Sequence, residues 1–132
     1  MPSTAKASFE IKGWDEETYQ DLAGDAKLTR ASVKQAFTGD IEGAGSVEWL
    51  MWYRDQGQAR FVGLQRVDGR LGDRSGTFVV ETVGTFDGKV AKGSWNVIPD
   101  SGTDELSGLS GEGEFSAPFQ STPSVVLSYT VS

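Results

Sequence analysis

Neither cysteine nor histidine occurs anywhere in the 132 residues. Without cysteine there are no disulfides, no thiolate nucleophile and no thiolate metal site. Without histidine there is no imidazole-ligated zinc, no Ser–His–Asp arrangement and no imidazole base. Chemistry would have to come from carboxylates, Tyr, Lys, Arg or a shaped cavity. Basic charge is also short: the net charge is −7, with the acids scattered along the chain. Nucleic-acid binders carry a basic face, so no nucleic-acid partner is expected. No apolar run approaches membrane-spanning length, so no membrane partner is expected either. The N-terminal M-P-S-T-A-K-A-S has no apolar signal core. With the lack of cysteine, this makes the cytoplasm the expected compartment.

Helical periodicity is missing too, whereas glycine is abundant, with 17 residues. What remains is alternation, in eight strand-like stretches. Lys6–Lys12 alternates Ala7, Phe9 and Ile11 with polar residues. Gly13–Asp25, acidic at Asp15-Glu16-Glu17, reads as a solvated loop in which Trp14 covers an end of the fold. Lys27–Thr38 places Ala31, Val33, Gln35 and Phe37 on one face, and the turn Gly39–Gly45 leads into Ser46–Arg54. Arg60–Asp68, Gly76–Phe86, Val90–Ile98, Leu106–Ser116 and Ser124–Val131 follow, the last with Val125, Leu127, Tyr129 and Val131 in alternation. The fold class expected is all-β: a single domain, residues 1–132, forming an eight-stranded antiparallel up-and-down barrel, since closure removes exposed sheet edges, with a sandwich as the alternative. Such a barrel is either filled by side chains or holds one small ligand.

The hairpins set provisional registers. Pairing Arg54 with Ala59 puts Glu48 opposite Gln65, with Leu50, Trp52 and Phe61 on the same inward face. The Asp87-Gly88 turn sets Phe86 against Lys89 and hence Val80 against Trp95. Matching the two hairpins brings Val80 near Gln65 and Phe78 near Val67. The outcome is a polar belt, Gln35, Glu48 and Gln65, in a wall that includes Phe37, Trp52, Phe61, Phe78 and Trp95. A carboxylate so placed would have its pKa raised by desolvation, which suits acid/base work; the alternative is that Glu48 only satisfies the two glutamines. Glu81 faces outward in this register, and a slip of one residue would bring it in beside Glu48 as a second catalytic candidate. The ligand-binding candidates are Gln35, Gln65, Trp52, Phe61, Phe78, Trp95 and Tyr129. Trp49, Met51 and Tyr53 would face outward and offer a surface for a homo-oligomer. No cofactor and no metal is expected.

The run Ser101-Gly102-Thr103, Glu105-Leu106, Gly108-Leu109, Gly111, Gly113 and Phe115 is similar to an uncharacterised bacterial family with the allene oxide cyclase-like, or dirigent-like, barrel fold. Lys27–Ala31, Glu48–Met51 with Tyr53, Phe61–Leu64 and Arg74–Phe78 share that family's habit. The resemblance implies relatives that bind a flexible hydrophobic molecule and fold it into one reactive conformer; no catalytic motif of the plant cyclases transfers residue by residue. The expected function is therefore capture of a small hydrophobic molecule, with cofactor-free cyclisation or isomerisation by confinement. A lipocalin-like carrier, and a filled barrel acting as an assembly module, are the alternatives.

Overall fold

The computed structural model describes residues 2–55, 57–118 and 121–132. Gln56, within the expected hairpin at Asp55–Gly57, lies outside the described residues. Eight antiparallel strands form one sheet: β1 (Ser3–Asp21), β2 (Lys27–Gly39), β3 (Ile41–Asp55), β4 (Gln58–Leu71), β5 (Arg74–Phe86), β6 (Val90–Val97), β7 (Leu109–Pro118) and β8 (Ser124–Val131). Each strand pairs with the next, and β1 also pairs with β8, so the sheet closes into a barrel. Among the described residues no helix is long and apolar enough to cross a membrane.

Alternation along the strands produces the inside. Ala31, Val33, Gln35 and Phe37 of β2 are buried, as their spacing predicts, while the residues between them are less so. The register between β4 and β5 is also the expected one, with Gln65 opposite Val80 and Val67 opposite Phe78.

Three departures matter for function, and two of them come from extra residues in a strand. Tyr53 pairs with Ala59 and Asp55 with Gln58, which leaves Arg54 as a bulge. The sequence-based pairing of Arg54 with Ala59 is thus off by one, and a shift of one residue turns every side chain of β3 to the other face. Val47, Trp49 and Met51 are buried, whereas Glu48, Leu50 and Trp52 point outward. Trp49 and Met51 consequently cannot form the outer oligomer face expected of them, and Tyr53 is packed against the core.

The second departure is β1. The expected loop at Gly13–Asp25 is strand as far as Asp21, and its register with β2 shifts between Ile11 and Gly13. Ile11 faces Gln35 and Trp14 faces Val33, so Lys12 and Gly13 take up the extra residue and Trp14 and Glu16 turn to the inner face, before a second shift between Thr18 and Gln20. The third departure concerns the chain around Leu106. β7 starts at Leu109, not Leu106; Asp104–Leu106 forms a 3-10 turn whose Leu106 is buried and closes one end of the barrel. It packs on β5 there, where a Cβ at Gly76 would come within 3.4 Å of Leu106 Cβ. The β5–β6 register is displaced by two residues, Phe86 facing Ala91 and Val80 facing Val97, which preserves the inward face.

Candidate functional site

The end opposite Leu106 is not filled. β1 pairs with β8 only over Ser3–Ser8 and then runs on beside β2 alone. A cavity of about 340 Å3 occupies this half of the barrel, at the small end of the range for ligand sites. Ile11 and Trp14, each about half exposed (46% and 49%), border it on the β1 side, and Ala91 and Ala117 of β6 and β7 also line it.

Aromatic rings make the walls. Trp49 meets Phe61 edge-on with centroids 4.5 Å apart, and Phe115 lies 6.2 Å from both rings. Trp95 stands edge-on to Phe37 at 5.9 Å. These rings fit because small residues sit beneath them. A Cβ at Gly84 would collide with the Phe61 ring, and one at Gly93 would approach Phe115 Cε1 to 2.7 Å. Two polar side chains interrupt the apolar lining: Gln35 and Gln65, joined by a hydrogen bond from Gln65 Nε2 to Gln35 Oε1. Gln65 is only 2% exposed. On the next strand Thr82, diagonal to Gln65, is fully buried, and among the described residues its hydroxyl has no hydrogen-bond partner.

The mouth carries a second polar group, built by the two bulges. Glu16 Oε2 accepts hydrogen bonds from Tyr53 Oη at 2.7 Å and from Thr29 Oγ1 at 2.6 Å, and Oε1 accepts from Trp14 Nε1 at 2.9 Å. Burial by itself would raise the Glu16 carboxyl. The three donors, with the Lys27 ammonium nearby, outweigh it and hold the group below its ordinary value. Tyr53 moves the other way: burial, then its bond to Glu16 and the charge there, push the phenol well above its usual value. Lys27 Nζ also lies 5.1 Å from the Tyr53 ring centroid, within cation–π range.

The structure brings together four of the residues picked out in the sequence: Gln35, Gln65, Phe61 and Trp95 all line the cavity. It separates the others. Glu48 lies on the outer wall, paired with Arg30 at 3.1 Å. Hydrogen bonds from Ser32 and Arg30 lower its pKa, the reverse of the desolvated carboxylate expected. Glu81 also stays outside, opposite Leu64 and Asn96, so no carboxylate pair forms in the interior. Trp52 is exposed because of the Arg54 bulge, Phe78 belongs to the packed half, and Tyr129 faces Ser3 and Gly111 away from the cavity. Glu16 and Tyr53 were missed. The sequence carries only a weak signal of them: Thr29 shares the inward parity of Ala31 and Val33, and a buried hydroxyl needs a partner. Among the described residues no group of three His, Cys, Asp or Glu side chains could hold a metal ion.

Residues 5–129 match a sequence family described as proteins of unknown function, DUF3224. The chain belongs to this family. A solved structure of a DUF3224 protein with unknown function from Shewanella oneidensis MR-1 is 25% identical to the chain. The match covers 100% of this chain and 99% of that one, with a TM-score of 0.84. No curated protein matches the DUF3224 chain.

Proposed function

We propose that this DUF3224 protein is an allene oxide cyclase-like barrel that binds one small, mainly apolar molecule in the half of the barrel that Leu106 does not close. The observation that carries the reading is the 340 Å3 cavity, walled by Trp49, Phe61, Trp95 and Phe115 and interrupted by two amides. An apolar pocket with a few convergent polar groups is what ligand sites look like, and removal of a ligand's apolar surface from water supplies the driving force. Saturable binding of the neutral probe N-phenyl-1-naphthylamine, one per chain, with quenching of tryptophan fluorescence, is the expected result. Absence of binding by this probe and by a panel of other apolar compounds would overturn the reading.

Confinement leading to cofactor-free cyclisation or isomerisation is a second reading, favoured by the Tyr53–Glu16 pair at the mouth. Tyr53 gives its single phenolic hydrogen to Glu16 and offers a ligand donor its oxygen lone pair; Glu16, satisfied by three donors, stabilises positive charge better than it removes a proton. Such turnover leaves the ligand's mass unchanged, so a compound extracted from the purified protein and returned to it should change chromatographic retention but not mass. A carrier returns it unaltered.

A further inference from the structure

The two buried amides define what the ligand must present. Each primary amide has one carbonyl and one NH2 group. One hydrogen bond joins Gln65 to Gln35, and among the described residues neither side chain has another protein partner. One carbonyl accepts within the pair and one NH2 donates. The unused groups are therefore a carbonyl on one glutamine and an NH2 on the other, whichever way round the two amides are placed. With both residues in the cavity wall, the pair offers one acceptor and one donor. The pair of amides thus has more hydrogen-bonding capacity than it uses within itself. Polar groups in an apolar wall cost free energy unless water or a ligand satisfies them.

Charge narrows the class further. Among the described residues no Lys or Arg lines the cavity, the ionised Glu16 sits at its mouth, and the protein carries a net charge of −7. An anionic head group would lose its hydration without gaining a counter-ion in the lining, and the Lys27 ammonium near the mouth is already beside Glu16 and the Tyr53 ring. We infer that the cavity selects a neutral ligand that carries a donor and an acceptor side by side, as in a lactam or a primary carboxamide, on an otherwise apolar frame. The inference rests on the proposed binding role of the same cavity. It sets the ligand apart from fatty-acid-like carboxylates, which the apolar walls alone would accept.

Four probes of similar size separate the possibilities by calorimetry or equilibrium dialysis on the native protein. These are 2-quinolone, with donor and acceptor; N-methyl-2-quinolone, without the donor; naphthalene, with neither; and 2-naphthoate, an anion. The expected order places 2-quinolone at least about tenfold tighter than N-methyl-2-quinolone and naphthalene, with 2-naphthoate weakest. In the double variant Gln35→Leu/Gln65→Leu, 2-quinolone should fall to the affinity of naphthalene while naphthalene itself binds as before. That retained binding also reports that the variant has folded. Equal affinity of 2-quinolone and naphthalene, or tightest binding of 2-naphthoate, would overturn the inference while leaving the binding role intact. If none of the four binds the native chain, the inference falls together with the reading beneath it. The ranking on the native chain decides the matter even if the double variant does not fold.

Discussion

Tyr53 on β3 donates its phenolic hydrogen to Glu16 on β1 at 2.7 Å, although β2 lies between the two strands. The contact spans the barrel mouth and joins the two bulged strands. Thr29 of β2 donates to the same carboxylate, so one Glu16 side chain ties three strands together.

Replacing Glu16 with Ala should therefore destabilise the protein by about 1–3 kcal/mol, because Thr29 is buried and would lose its acceptor. The Glu16→Gln change should cost less at neutral pH. The carboxyl titrates below its ordinary value in the fold, so its contribution is complete above the unfolded pKa of about 4.3 and disappears as pH falls through the lower, folded value. Urea unfolding of wild type and Glu16→Gln at pH 7 and near pH 3 should show the gap between them closing at the acidic end. A constant gap would contradict the assignment.

Tyr53 gives the opposite alkaline signature. Its pKa is raised, so the neutral phenol is favoured by the fold; the contribution is complete below the unfolded value of about 10 and is lost as pH rises beyond it. Absorbance titration at 295 nm should give superimposable curves for wild type and Tyr53→Phe up to about pH 10.5, because Tyr53 has not ionised. A missing phenolate step in the variant below that pH would show that Tyr53 is not held protonated.

Glu48→Ala should change stability by no more than about 0.5 kcal/mol and leave probe affinity unchanged. Its pairing with Arg30 is an exposed one, with both side chains more than half accessible. Loss of ligand binding in this variant would restore the carboxylate to the interior and invalidate the β3 register.

Closing the mouth tests the cavity without touching its polar belt. Ala91→Trp should abolish uptake of N-phenyl-1-naphthylamine while shifting the thermal midpoint by only a few degrees, since Ala91 is partly exposed at the cavity's edge. By contrast, Gly93→Ala should destabilise by about 1–3 kcal/mol. Its Cβ would press on the Phe115 ring and on main-chain atoms of β5, which cannot move aside as a flexible side chain would. Chemical denaturation of both variants checks the contrast.

Much of the fold was readable from alternation alone. A period-two pattern is local: Ala31, Val33, Gln35 and Phe37 identify their own buried face, and the same reasoning placed Phe61, Gln65, Val80 and Trp95 inside. Within any stretch free of bulges, parity suffices. The site was only half readable for the same reason. Its amide floor lies on regular β2 and β4, while its mouth depends on β1 and β3, where parity changes.

The alternating residues of this chain determined by themselves that it would form eight antiparallel strands and which of two faces most strands would bury. They also determined that Gln35 and Gln65 would share an interior with aromatic rings. Only the tertiary structure decided that Arg54 and Lys12–Gly13 would absorb extra residues, turning Glu48 and Trp52 outward and Trp49, Glu16 and Tyr53 inward. A bulge is set by how the closing sheet must twist and by what its side chains meet across the barrel, not by the residues beside it. One such residue exchanges the two faces of a strand, and here it moved the carboxylate at the cavity from β3 to β1.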